Sequence, residues 1–355
     1  YVPLAFLSYL VLYAGFGYDP FYFHMFSLLL HIGCVCLVWK LISSLLRVHG
    51  GVSEKQILYV NFITTLLFAV HPINVEAVAW ISALKVLLYA FFYLLGLLCY
   101  LRYIRTSKIF YYVLTIGCFL CSFWGKEQAV TFPLALLIVD WFTNRNMKNL
   151  EVWSEKMSFL IMAFFFGIIT VLSQGKGPYE MIFPLYQRLL FGCFALVEYI
   201  TKSLLPVNLN FFYPFPIVLG EEPPLHYYLY PVVLLFLMGW IIAYRNNRYL
   251  VFGVLLFLVN LLFSIHLFNM SRHAIVADRY MYLSYVGIAF LIANGIWWLR
   301  KRLSYFKAAL VFLFFYCFFL SVYTFDYTKK WENTTMVKKY TKEVLEKRLN
   351  GSNHL

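Results

Sequence analysis

Charged side chains are scarce in this chain of 355 residues: only 13% are Asp, Glu, Lys or Arg, whereas 63% are hydrophobic. A soluble domain typically has about a quarter charged and about half apolar residues. A chain with so little polar surface cannot cover a soluble globule. The composition therefore excludes a soluble enzyme, a disordered chain and a coiled coil, and it favours a polytopic membrane protein.

Motifs for nucleotide and metal chemistry are also missing. No Walker, Rossmann or zinc-protease pattern occurs, so we predict no nucleotide cofactor. The seven cysteines lie in apolar stretches without the spacing of a metal site, which is typical of small core residues. We predict no metal site, although a need for a divalent ion stays open. The net charge of +13 suits basic cytoplasmic loops better than a nucleic-acid partner.

Long apolar runs are what the sequence does have, and a run of about 20 residues can cross a bilayer as a helix. The candidate stretches are 21–46, 57–70, 78–101, 109–123, 128–142, 158–172, 187–205, 227–243, 250–264, 280–299 and 306–325. Cytoplasmic loops collect Lys and Arg. This rule places the basic connections 47–56, 102–108 and 143–157 in the cytoplasm.

The stretch 187–205 differs from the others because it carries Arg188, Glu198 and Lys202. Charges at membrane depth are costly. If this stretch does not span, the basic loops 244–249 and 300–307 also fall on the cytoplasmic side. We therefore predict an all-α bundle of about ten spans, with a re-entrant or interfacial helix near 187–205 on the outer face.

This layout gives two regions. Residues 1–325 form the predicted membrane domain, and residues 326–355 form an outward-facing amphipathic tail. The tail has apolar residues at roughly helical spacing among many basic ones. It fits a headgroup-binding helix or the start of a further domain.

The few polar residues cluster in the outer-side connections, and ionisable groups at membrane depth are functional candidates. The first cluster is the stretch 71–76, HPINVE, with Lys85 following. Its proline breaks the preceding helix, so that His71, Asn74 and Glu76 can line a cavity. The structural alternative is that His71 and Glu76 only cap helix ends.

Two further clusters place a cation beside an anion next to an apolar span. Lys126 and Glu127 form a turn in which the lysine can hold a lipid phosphate, or which is simply solvated. Arg279 follows Asp278, and a guanidinium can grip a phosphate through two hydrogen bonds. The alternative there is a helix cap or a local ion pair. Arg272 lies in the same connection.

An aromatic and proline-rich run, 211–216 with the sequence FFYPFP, is incompatible with a helix. It contains Tyr213, and it is either an aromatic belt at the headgroup level or a groove for a lipid tail or sugar. His24 and His31 share one face of the first candidate span. We interpret them as packed or cavity-facing side chains, because a metal pair needs closer spacing and a third ligand.

Taken in chain order, these motifs resemble one family. It is the GT-C-type membrane glycosyltransferases related to the transmembrane and TPR-repeat-containing O-mannosyltransferases, with their bacterial TPR-bearing relatives. The similar segments are 1–3, 17–31, 71–80, 126–133, 205–214 and 277–283. The most recognisable is 71–80, HPINVEAVAW, and a later one is 277–283, ADRYMYL.

The resemblance implies transfer of a sugar from a polyprenyl-phosphate carrier to a protein or glycan at the outer face of a membrane. Acid, base or orienting roles fall to Glu76, Glu127 and Asp278. Binding of the lipid phosphate falls to Lys126, Arg272 and Arg279. The cavity would be lined by His71, Asn74, Lys85, Tyr213 and Tyr280. The membrane would be the bacterial cytoplasmic membrane with a periplasmic site, or the endoplasmic reticulum with a lumenal one.

Two departures from the family keep other functions open. The chain starts at the family's Tyr-x-Pro motif, so we expect the first span and the principal catalytic carboxylate upstream of Tyr1. After Ser82 the family has a charged stretch, whereas this chain has Lys85 alone among apolar residues. A non-catalytic scaffold subunit of a larger membrane complex is therefore the alternative. A transporter is less favoured, because no matched pair of broken helices is evident.

Overall fold

The computed structural model describes residues 2–173, 183–266 and 274–352. Within these ranges the chain is almost entirely helical, with short 3-10 turns and an isolated bridge between Tyr213 and Val276. The helices of the first half are α1 (Pro3–Phe16), α2 (Pro20–His49), α3 (Glu54–Val70), α4 (Val75–Ala79), α5 (Leu84–Thr106), α6 (Ile109–Gly125) and α7 (Phe132–Phe142). Those of the second half are α8 (Leu150–Ser173), α9 (Leu185–Leu204), α10 (Leu229–Ala243), α11 (Arg248–Leu261), α12 (Met281–Trp298), α13 (Leu303–Lys329) and α14 (Thr334–Ser352).

The described helices confirm an all-α protein that can span a membrane several times. Six helical segments are long and apolar enough to cross, and they contain α2, α5, α8, α10, α12 and α13. The count rises to seven if α3 and the bent segment after it form one span. Three further apolar helices, α1, α6 and α11, are shorter. The number of ten spans thus stays a prediction.

The predicted break at Pro72 is confirmed. His71 is extended (φ −72°, ψ 127°), as expected for a residue that precedes proline, and α3 ends at Val70. A 3-10 turn over Pro72–Asn74 then leads into α4, and the segment after the break is bent by 51° from α3. The break carries Glu76 on α4, inside the bundle rather than at its surface.

Helix α9 is not among the described segments that meet the length and hydropathy expected of a span. Near its start, Arg188 Nε donates to the carbonyl of His266 at 3.3 Å. Near its end, the hydroxyl of Tyr199 accepts from the backbone N–H of Ala277 at 3.1 Å. Both ends therefore contact the connection between α11 and α12. The re-entrant position of this helix remains a prediction.

The last apolar helix extends beyond the predicted stretch 306–325, and the division into a membrane domain and a tail stays a prediction. Helix α13 continues to Lys329, and the side chain of Asn333 caps the next helix by accepting from the N–H of Met336 at 2.9 Å. Trp331, between the two helices, is buried against Trp80 and Phe211. The aromatic contacts of Trp331 thus hold the connection between the two helices against the bundle.

The opposite end of the bundle holds a buried ionic cluster that the sequence analysis missed. Arg145 and Lys156 count as loop charges in the sequence, but Lys156 is fully buried and pairs with Asp140 and Glu155. Arg145 bonds Glu155 through both terminal nitrogens, at 2.6 and 2.9 Å. The hydroxyl of Tyr100 donates to Asp140 at 2.8 Å. We call these five residues the α7–α8 cluster, which ties α5, α7 and α8 together.

Candidate functional site

The break after α3 meets the start of α12 through one ion pair. Glu76 is fully buried, and its carboxylate accepts from the backbone N–H of Arg279 at 2.7 Å and pairs with the Nη1 of the same residue. The partners are 203 residues apart in the chain. Arg279 therefore does not pair with its neighbour Asp278, and Glu76 is more than a helix cap.

Aromatic rings surround the cations of this end. The Arg279 guanidinium lies 5.3 Å from the ring centre of Trp80 and 5.1 Å from that of Tyr280. Lys126, which is almost fully buried, places its Nζ 4.7 Å from the centre of the Tyr280 ring. An aromatic face attracts a cation without neutralising it. Tyr280 thus brings the second and third sequence clusters together.

Asp278 is fully buried and is held by the run at 211–216. The hydroxyl of Tyr213 lies 2.9 and 3.0 Å from the two carboxylate oxygens of Asp278. The same hydroxyl accepts from the Nζ of Lys202 at 3.1 Å and from the N–H of Asn210 at 2.7 Å. Burial, with the nearby carboxylate of Asp278, raises the pKa of Tyr213 well above its usual range. Because Tyr213 is buried, the belt interpretation is wrong for this residue.

His71 and Asn74 fill the corner of the break. The Nδ1 of His71 accepts from the N–H of Ile73 at 3.2 Å, so the capping alternative is confirmed for this histidine. The Nδ2 of Asn74 donates to the carbonyl of Phe68 at 2.8 Å. Among the described residues no partner meets the buried Oδ1 of Asn74. Both side chains still face a cavity.

This cavity is a groove of about 750 Å³ between α2 and α13, with the break after α3 as its floor. His24 and His31 line it, which confirms the cavity-facing interpretation, and His31 also bonds the hydroxyl of Tyr282 at 2.7 Å. Apolar walls come from residues such as Leu28, Val78 and Phe325. Polar side chains also line it, among them His71, Asn74 and Glu332. The groove thus suits a long apolar chain with a polar head.

Two predicted site residues, Glu127 and Lys85, take no part in these contacts. Glu127 is half-buried in the 3-10 turn after Lys126, and Lys85 is half-buried in the first turn of α5. Neither forms an ion pair within the described ranges. Arg272 lies outside the described residues. The predicted site does not include Lys202, although the sequence analysis noted its charge. A charged residue in an apolar helix indicates a buried acidic partner as well as an insertion cost.

Fold and site together define a class: a helical multi-pass membrane protein with buried cations and carboxylates at one end, beside an apolar groove. The chain is 30% identical over 183 residues to protein O-mannosyl-transferase tmtc2 of Xenopus laevis, which is 49% of this chain and 20% of that protein. It is 34% identical over 159 residues to TMTC2 of Homo sapiens, covering 43% and 18%. Drosophila melanogaster Tmtc3 is 28% identical over 171 residues, covering 43% and 18%.

The resemblance to the TMTC protein O-mannosyl-transferases is therefore shown by sequence comparison as well as by the motifs. The chain spans about a fifth of the length of these curated relatives. No family model matches the chain, and no solved structure matches it either.

Proposed function

We propose that this chain is the membrane part of a glycosyltransferase that moves a sugar from a polyprenyl-phosphate carrier to a protein or glycan outside the cytoplasm. The observation that supports this most is the pairing of Glu76 with Arg279, which joins two distant motifs beside Lys126 and the groove. The relatives are named protein O-mannosyl-transferases, so mannose is the sugar we favour.

Arg279 is suited to hold the carrier phosphate. Glu76 engages its backbone N–H and Nη1, while the rest of the guanidinium has donors left, and the side chain is 20% exposed. A guanidinium offers five N–H groups in a planar fork. Glu76 then acts as an orienting residue, and Lys126 adds a second positive charge. Two cations near a leaving phosphate stabilise the charge that develops as the bond to the sugar breaks.

The transfer forms a bond between the acceptor oxygen and the anomeric carbon, and it breaks the bond from that carbon to the phosphate oxygen. A carboxylate takes the acceptor proton. Glu76 is committed to Arg279 and Asp278 is fully buried, so Glu127, half-buried next to Lys126, is the best placed of the three predicted carboxylates.

The groove offers room for the isoprenoid chain of the carrier. Its walls are mainly apolar side chains, and its floor is the break that carries Glu76. We further propose about ten spans with α9 re-entrant, which the contacts of both its ends with one connection support. The site would then face the periplasm or the lumen of the endoplasmic reticulum.

The test is sugar transfer from polyprenyl-phosphate mannose to endogenous acceptors, measured in membranes that contain the complete protein. Arg279→Gln should lower the initial rate at least about 100-fold, because an oriented charge on the leaving phosphate is lost. Arg300→Gln is the matched control: Arg300 lies at the other end of the α12 segment and also stacks on an aromatic ring, that of Trp297, at 4.5 Å. It should keep the wild-type rate.

One observation favours the scaffold as a second candidate: Glu76 and Arg279 neutralise each other inside the bundle. In that case, wild-type membranes would show no transfer above membranes that lack the protein. Arg279→Gln would instead reduce co-purification of partner subunits. This pair of results would reject the transferase and support the scaffold.

A further inference from the structure

Lys202 is a buried cation that the proposed chemistry does not use. It lies near the end of α9 and is only 2% exposed. Its Nζ donates to the hydroxyl of Tyr213 at 3.1 Å and lies 3.5 Å from the Glu198 carboxylate on the same helix. A lysine is almost never buried to this extent unless an acidic group compensates its charge. Glu198 pairs with Lys202 but is 25% exposed, so a second, fully buried acidic group would complete the compensation.

The hydrogen-bond direction identifies that charge. An ammonium group can only donate, so the oxygen of Tyr213 accepts from Lys202, and it accepts from the N–H of Asn210 as well. The single phenolic proton is therefore free to be donated to Asp278, 2.9 Å away. Lys202, Tyr213 and Asp278 form a directed chain across α9, the following connection and the start of α12. We call it the α9–α12 triad.

The α9–α12 triad ends one residue before the proposed phosphate ligand. Asp278 and Arg279 are consecutive in one 3-10 turn, and the N–H of Arg279 donates to Glu76 at 2.7 Å. If the Asp278 carboxylate were displaced, this 3-10 turn would rotate, and the Arg279 side chain would lose its contact with Glu76. The position of the guanidinium thus depends on α9, although no residue of α9 contacts it among the described hydrogen bonds.

We propose that Lys202 is a positioning residue, which acts through Tyr213 and Asp278 to hold Arg279 in the geometry that binds the carrier phosphate. This inference rests on the proposed function. The inference also assigns a role to α9, because this helix carries the positive charge of Lys202 that compensates the buried Asp278. Removal of that charge should loosen phosphate binding without removing any group that touches the phosphate.

The charge pairing is tested by a double-mutant cycle that needs no catalysis. Thermal unfolding of the purified protein is compared for the wild type, Lys202→Met, Asp278→Asn and the double variant. Each single change strands a buried charge and should lower the midpoint by on the order of 5 °C. The double variant removes both charges, so it should recover more than half of the larger loss. Losses that simply add would overturn the triad.

The positioning role is tested by binding of polyprenyl phosphate to the purified protein. Lys202→Met should weaken binding about tenfold, Lys202→Arg should retain most of the affinity, and Lys301→Met, an exposed lysine of the far end, should have no effect. Equal affinities of the wild type and Lys202→Met would overturn the positioning role alone. A wild type that binds no polyprenyl phosphate would overturn the proposed function and this role together.

Discussion

The two ends of the bundle each bury acidic and basic side chains, but they do so in different ways. The α7–α8 cluster joins residues that are at most 56 positions apart, and its cations and carboxylates bond one another repeatedly. The site end joins residues 65 and 203 positions apart. The α7–α8 cluster is closed and its positive and negative charges balance, whereas the site end borders the groove.

This difference separates a structural ionic network from a candidate site. In a closed network every charge is compensated, so no group is left to act on a ligand. At the site end, Asn74 lines the groove, and its buried Oδ1 has no partner in the described part of the chain. An unmatched polar atom beside a groove is a feature that the α7–α8 cluster lacks among the described residues.

The largest expected effect on stability is at the closed end. Asp140→Asn should lower the free energy of unfolding by about 3–5 kcal/mol, because it removes a partner of the fully buried Lys156. The effect is measured by denaturation of the purified protein in detergent. Asp326→Asn is the matched control, since Asp326 is 60% exposed and pairs weakly with Lys329 at 3.8 Å. A loss below about 1 kcal/mol for Asp140→Asn would show that the network is not strongly stabilising.

Glu76→Gln is the equivalent change at the site end. It should lower the stability less than Asp140→Asn does, and it should lower the rate of sugar transfer strongly. Arg279 keeps two aromatic rings and contact with solvent, so we expect a stability loss of only about 1–2 kcal/mol. Transfer from polyprenyl-phosphate mannose should nevertheless fall about 100-fold, because Arg279 loses its orienting partner. Unfolding and transfer are measured on the same preparation. A stability loss as large as that of Asp140→Asn, with transfer intact, would make the two ends alike.

The sequence predicted most of the helices and the break at Pro72, since apolar length and proline act locally. It also selected residues of the site end, because charges are rare enough in this chain to stand out. It did not predict the partners: Arg279 was weighed against its neighbour Asp278, and the pairing with Glu76 depends on how α4 packs against α12.

The partners of Lys156 and Lys202 could not be predicted for a related reason. The sequence shows that a charge lies in an apolar stretch, where its burial is costly. Only the fold shows which carboxylate or hydroxyl compensates that charge. Helix α13 runs beyond the predicted end at residue 325, and helix periodicity could not predict the contacts of Trp331 that follow it.

The smallest expected effect concerns the fit of α9 at the site end. A Cβ at Gly192 would overlap the carbonyl oxygen of Ile265, so this glycine lets α9 lie directly against the chain after α11. Gly192→Ala should destabilise the protein by about 1–3 kcal/mol through overpacking. It should also weaken polyprenyl-phosphate binding, because α9 carries Lys202.

Gly239→Ala separates close packing from the general effect of a glycine in a helix. Gly239 lies within α10, and nothing approaches its Cβ position within 4 Å. Alanine is the better helix former, so this control should gain up to about 1 kcal/mol. If Gly192→Ala were equally stabilising, α9 would not be seated against Ile265. The site end would then lose the helix that we infer to position its arginine, whereas the closed end would be unaffected by either change.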